Sequence, residues 1–149
     1  MITVVQRVSK ASVSVEGSVV SSIGKGLLVL AGLEKGDTAS DTGYTIKKIQ
    51  ELRIFQDSEG KMNLSVSDIS GEMLVVSQFT LAGNVHKGRR PGFDNAMEPG
   101  NAKTMFDEMV LELQRGTVPV KTGVFGAHME VSLVNDGPVT FVIDSRKRV

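Results

Sequence analysis

Two short polar stretches interrupt apolar ones, and each carries groups able to act on an ester or amide. In EMLVVSQFTL, Glu72 to Leu81, the polar residues Ser77, Gln78 and Thr80 ride on an apolar strand. A strand end that stops pairing frees backbone N–H groups beside a hydroxyl. Those are the raw materials of an oxyanion hole and of a nucleophile. A plain strand with Ser77 and Phe79 inward and Gln78 and Thr80 outward fits the spacing too, and on spacing alone it is the simpler account. In SLVNDGPVTFVI, Ser132 to Ile143, the pair Gly137-Pro138 sits where a strand wants neither residue. Proline donates no ladder hydrogen bond and glycine packs no side chain. A bulge, a turn or a cis peptide would accommodate the pair. A cis bond would aim two carbonyl oxygens the same way, giving a rigid polar edge that reads a ligand by shape. A simple edge-strand turn is the plainer explanation. A third stretch, HKGRRPGF from His86 to Phe93, gathers Lys87, Arg89 and Arg90 next to an aromatic ring. It could hold phosphates or be an ordinary solvated loop.

Other chemistries find little support. The chain has two histidines, His86 and His128, and no cysteine. That removes a thiol nucleophile, a disulfide frame and thiolate metal sites. No cluster of His, Asp and Glu has metal-ligand spacing, so neither metal nor cofactor is expected. Metalloprotease, hydrolase-elbow and Walker-type motifs are absent, and GKGLLVLAGL does not fit a dinucleotide fingerprint.

The elements that must position these stretches are legible in part. The 149 residues suit one domain, 1–149, with a buried core. The 17 basic and 17 acidic residues cancel, which argues against bulk capture of nucleic acid but leaves room for a local basic patch. No apolar run approaches a membrane span and no signal layout opens the chain, so a soluble cytoplasmic protein is expected. Val4, Val8, Val13 and Val15 lie in alternating segments, Glu16 to Ser18 reads as a hairpin turn, and VVSSI follows. LLVLAGL suits a strand buried on both faces. Thr38, Ser40 and Asp41 are N-cap candidates for a helix carrying Ile46, Ile49 and Leu52. Asp57 to Gly60 is a turn, Glu72 to Leu81 a buried strand, and 82–100 irregular. Ala102, Met105, Phe106, Met109, Val110 and Leu113 mark a second helix closed at Arg115-Gly116. VPVKTGVF, HMEVSLV and PVTFVI are the last strands, before a charged tail. About eight strands and two main helices predict an α+β fold whose antiparallel sheets form a barrel-like or sandwich core.

Taken together, SQFTL at Ser77 to Leu81 and NDGPVT at Asn135 to Thr140 match the paired signatures of the D-aminoacyl-tRNA deacylases. The resemblance spans nearly the whole chain: QRVSKASVSVEG, GKGLLVLAGL, RRPGF and MEVSLVNDGPVTF agree in order as well. Gly92 stands where serine is expected, and Gly126 and His128 also depart from the pattern. None of these touches the two signatures.

The resemblance implies a homodimer that hydrolyses the ester between a D-amino acid and the 3′-terminal adenosine of tRNA, and clears some glycine from it. It implies a cis Gly137-Pro138 reaching from one subunit into the partner's site. Its carbonyl oxygens would crowd the α-carbon, reject an L side chain and admit glycine. By the same resemblance Ser77, Gln78, Phe79 and Thr80 would line the scissile ester, with a backbone N–H near Phe79 or Gln78 serving the oxyanion. Arg7 would brace the Gly-Pro loop, Ala102 would lie in the amino-acid pocket, and Phe125 and Met129 would pack on the adenine. Two mechanisms compete: attack by the Thr80 hydroxyl, which needs a base that the sequence does not supply, or a water assisted by the ribose 2′-hydroxyl. A silent RNA-binding dimer and a hydrolase of small acyl amino acids are the rival readings.

Overall fold

The computed structural model describes residues 1–86 and 88–147. The strands are β1 (Ile2–Val15), β2 (Ser18–Ile23), β3 (Gly26–Gly32), β4 (Phe55–Gln56), β5 (Met62–Leu64), β6 (Glu72–Ser77), β7 (Val120–Thr122) and β8 (Glu130–Asp144). The helices are α1 (Ala39–Glu51) and α2 (Pro99–Gln114), with a 3₁₀ turn at Phe79–Ala82.

β1 organises the sheet. It turns into β2 through Glu16 and Gly17, both at positive φ, 50° and 79°. Two such residues are what a tight hairpin needs to match the strand twist. One edge of β1 carries β3 along its first half and β2 along its second, while β8 runs antiparallel along the other edge. β3 then pairs with β6, and β6 with β7, and both of these pairs are parallel. The expectation of purely antiparallel sheets is therefore corrected: the main sheet is mixed and nearly closes into a barrel. The cause is the connectivity. α1 carries the chain from β3 back to β6, and α2 from β6 to β7, and a helical crossover returns the next strand in the same direction.

Burial on both faces explains the apolar runs. Leu27, Val29, Met73 and Val75 enter the core beneath the helices, while Leu28, Leu74 and Val76 enter a second core with Val8, Val13 and Ile23. Parallel strands covered on both sides read this way. α2 buries Ala102, Phe106, Met109, Val110 and Leu113 as its periodicity requires. Pro99 opens it, and the Glu98 carboxylate accepts from the Gly100 and Asn101 N–H groups at 3.0 and 3.1 Å. Those bonds hold the Glu98 carboxyl below its ordinary pKa. At α1, the Thr38 N–H donates to the Asp41 carboxylate at 2.9 Å, half of a capping box.

Three further boundaries differ from the sequence reading. The strand expected over Glu72–Leu81 ends at Ser77. The one expected over 118–125 shrinks to β7. HMEVSLV and PVTFVI fuse into the single strand β8, which starts after His128 and contains Gly137-Pro138.

A buried charge cluster ties both ends of the described chain to the β3–α1 connection. The Met1 ammonium donates to Asp37 Oδ1 at 2.6 Å, Glu34 Oε2 at 3.1 Å and Ser145 Oγ at 3.0 Å. Asp37 also accepts the Glu34 N–H at 2.6 Å and Arg146 Nη2 at 3.1 Å. Burial works against the Arg146 charge, but Glu34 and Asp37 outweigh it and hold the guanidinium above its usual range. Removing one member of a buried pair strands the others. Asp37→Asn is expected to cost about 3 kcal/mol. Thermal unfolding would then move down by on the order of 10 °C for a chain of this size.

Candidate functional site

The parallel strands β3, β6 and β7 present their carboxyl ends along one rim, the place where open α/β sheets hold ligands. Ala31 pairs with Ser77, and Val75 with Thr122, so Ser77 lies level with the segment after Thr122. Four of the predicted residues follow from β6 directly. Ser77 ends the strand, and Gln78 donates its N–H to Ala31 O at 2.8 Å, the last bond of the ladder. Phe79 and Thr80 then open the 3₁₀ turn. The first N–H groups of a helical turn lack partners within it. No backbone acceptor elsewhere among the described residues takes those of Phe79 and Thr80. The N–H of Gln78, by contrast, is already engaged.

The strand-alternation account of SQFT fails here. Ser77 and Gln78 are both half-buried, and Phe79 is 59% exposed instead of pointing inward. Gln78 Nε2 donates to Thr80 Oγ1 at 2.5 Å. An amide donor fixes the hydroxyl and does not withdraw its proton. No His, Asp, Glu or Lys is hydrogen-bonded to Thr80 among the described residues. The turn sits close to the sheet because residue 32 is glycine. A Cβ there would fall 2.7 Å from Leu81 Cβ and 2.9 Å from Gln78 O.

The structure brings Ala102 and Phe125 together in the core that α2 covers, but not Met129. Ala102 lies on the first turn of α2, one turn before Phe106. The Phe106 ring meets Phe125 at 5.7 Å between centroids. Met129 folds back within the same connection, its Sδ accepting from the Val124 N–H at 3.4 Å. Phe125 packs on one core and Met129 on the other.

Arg7, Gly137 and Pro138 stand apart from this rim. The Gly137-Pro138 peptide is cis, and both residues are exposed. Arg7 is buried beneath them, donating from Nε to Asp136 O at 2.9 Å and from Nη1 to Ile54 O at 2.7 Å. Asn135, which sequence reasoning gave no role, closes the loop across its base. Its Oδ1 accepts the Val139 N–H at 3.0 Å, and its Nδ2 donates to Thr140 Oγ1 at 3.0 Å. Gln6 Nε2 reaches the same hydroxyl at 3.2 Å. The available signal was an asparagine and a threonine flanking Gly-Pro inside a strand.

Register measures the gap between the two motifs. Gly137 lies beside Arg7, which pairs with Leu27, whereas Ser77 pairs with Ala31. The offset is four residues, about 13 Å along the strands, and three strand spacings, about 14 Å, across them. Within one chain the motifs do not meet.

The family model described as D-Tyr-tRNA(Tyr) deacylase matches residues 4–144. The chain belongs to this family. A D-aminoacyl-tRNA deacylase of Persephonella marina is 61% identical over 146 residues, 98% of this chain and 99% of the relative. The Geobacter sulfurreducens D-aminoacyl-tRNA deacylase is 53% identical, covering 99% of this chain and 97% of the relative. Among solved structures, one titled c-Myc DNA Unwinding Element Binding Protein superposes with a TM-score of 0.92 at 42% identity, over 97% of this chain and 98% of that one.

Proposed function

We propose that this protein hydrolyses the ester of D-aminoacyl-tRNA, releasing the D-amino acid and tRNA, and spares L-aminoacyl-tRNA. The observation that carries the reading is the exposed turn at Phe79-Thr80, with two N–H groups free and no base bonded to Thr80 among the described residues, on a chain of this family. Water attacks the ester carbonyl, and its proton passes by way of the ribose 2′-hydroxyl to the leaving 3′-oxygen. The Phe79 and Thr80 N–H groups hold the developing oxyanion. Ser77 and Gln78 flank the ester, Ala102 limits the amino-acid pocket, and Phe125 and Met129 receive the adenine.

In this reading the Gly137-Pro138 loop of a partner subunit closes the site. Two observations favour a homodimer. The loop cannot reach its own rim, as the register indicates. β8 pairs only with β1 among the described residues and leaves Val134, Phe141 and Val142 exposed. A long edge strand with apolar side chains is a surface that proteins cover. Arg7 and Asn135 hold the loop so that its carbonyl oxygens crowd one side of the α-carbon. An L side chain collides there, a D side chain points away, and glycine passes, which accounts for clearing of mischarged glycyl-tRNA. The protein then works where aminoacyl-tRNA is used, in the cytoplasm. No helix of the described residues is long and apolar enough to cross a membrane.

Side-by-side deacylation of D- and L-tyrosyl-tRNA by the purified protein tests this. The D ester is expected to disappear at least ~100-fold faster, a transition-state difference of about 2.7 kcal/mol. The same sample should sediment as a dimer at micromolar concentration. Hydrolysis of both esters would remove the chiral filter. Hydrolysis of neither, with tRNA still bound, would favour a silent RNA-binding dimer. Cleavage of small acyl amino acids unaffected by uncharged tRNA would favour the small-substrate hydrolase.

A further inference from the structure

We infer that the arm between Asn84 and Gly92 is a docking surface for the phosphates of the tRNA 3′ end, gripped by Arg89 and Arg90. The inference rests on the deacylase reading and says where the nucleic acid leaves the site. Asn84 and Gly92 exchange both backbone hydrogen bonds, at 2.7 and 2.9 Å, so the two ends of the arm that carries Arg89 and Arg90 are held side by side. Its base is fastened to the catalytic turn: the Phe93 ring meets Phe79 edge-on, 5.1 Å between centroids at 61°. Gly83 makes room for that contact, since a Cβ there would sit 3.0 Å from Phe93 Cε1. Arg90 is two residues from Gly92, at most about 7 Å of chain. With the ester at the Phe79 turn and the adenine on Phe125 and Met129, these guanidinium groups stand within reach of a strand that leaves the site past Phe93.

The arginines differ from the rest in their pairing. Arg7, Arg53, Arg115 and Arg146 each bond to the protein's own carbonyls or carboxylates. Arg89 and Arg90 are exposed and have no such partner among the described residues. Asp94, the acidic residue nearest to them in sequence, is exposed and forms no ion pair with either. Free guanidinium forks suit phosphate, which they hold in bidentate fashion. In a chain of zero net charge, attraction for a polyanion must come from such a local feature.

The test compares two substrates, D-tyrosyl-tRNA and 2′(3′)-O-D-tyrosyl-adenosine, which has no phosphate. For the double variant Arg89→Ala/Arg90→Ala, KM for the tRNA ester is expected to rise on the order of 10- to 100-fold with kcat held, and the salt dependence to flatten by about one unit of slope per lost contact. The adenosine ester should change by less than about twofold, because it leaves no phosphate for the arm to hold. Arg89→Lys/Arg90→Lys should restore the salt dependence but only part of the lost affinity, because lysine returns the charge without the bidentate fork. Equal losses on both substrates, or an unchanged KM for the tRNA, would overturn the proposal. So would a DNA duplex that inhibits as strongly as uncharged tRNA. If the unaltered protein cleaves the adenosine ester and the tRNA ester with equal efficiency, the arm fails while the deacylase reading stands. If it cleaves neither, the deacylase reading fails and the arm with it.

Discussion

An alanine at Gly137 is expected to shrink the ratio of D- to L-tyrosyl-tRNA turnover by on the order of 100-fold, the worth of a few misplaced contacts at a reacting centre. The backbone there has φ +146°, a conformation that L side chains rarely adopt. A Cβ would fall 2.6 Å from Val139 Cγ2, 2.9 Å from Val139 N and 3.2 Å from Arg7 Nη2. Val139 N–H is held by Asn135, and Arg7 is held by Ile54 O, so neither neighbour can yield without breaking a bond that supports the loop. The loop must move, and the carbonyl oxygens proposed to reject an L side chain move with it. The L ester should then begin to be cleaved, while D turnover falls by less than about tenfold because the N–H donors stay on the other rim. Rates on both esters, with thermal unfolding of the variant as a control, decide the matter. An unchanged ratio in a variant that merely melts earlier would place chiral selection elsewhere.

A substrate ending in 2′-deoxyadenosine is expected to lose on the order of 10³ in turnover, within the span that a positioned proton-transfer group contributes. Its binding should stay within about threefold of the normal ester, since uniform binding is not what the hydroxyl provides. Thr80→Ala should keep at least about one-tenth of the activity. The reason is the composition of the turn. Thr80 Oγ1 is bonded to the Gln78 amide, which cannot serve as a base. The N–H groups of Phe79 and Thr80 belong to the backbone and survive the substitution. Single-turnover rates with both substrates separate the two mechanisms. An acyl group trapped on Thr80 would establish the threonine as nucleophile and dismiss the 2′-hydroxyl route.

Much of the local structure was legible. The Glu16-Gly17 turn, the α2 stripe from Ala102 to Leu113 and the buried runs of β3 and β6 stand where period and turn chemistry put them. The SQFT and NDGPVT stretches were visible as polar islands, and their match to a known family named the chemistry. What failed was the reading of SQFT as a continuing strand. Phe79 looked like the next inward residue, yet the ladder stops at Gln78 and the chain coils into a 3₁₀ turn. The basic arm was also visible, but only as a triplet of charges, of which Lys87 lies outside the described residues.

The sequence by itself determined which segments could form strands and helices, where turns fall, and which polar stretches were candidates for chemistry, because these depend on side-chain period and on backbone preferences over a few neighbours. It did not determine strand direction. LLVLAG and EMLVV read alike whether they lie parallel or antiparallel, since a strand buried on both faces has no alternation to reveal its partner. Only the tertiary structure settled that α1 and α2 act as crossovers and so bring the ends of β3, β6 and β7 to one rim. The same long-range pairing set Arg7 under Asp136 across 129 residues and separated Gly137 from Ser77. Those relations are set by the packing of distant elements, a property of the closed chain and of no window within it.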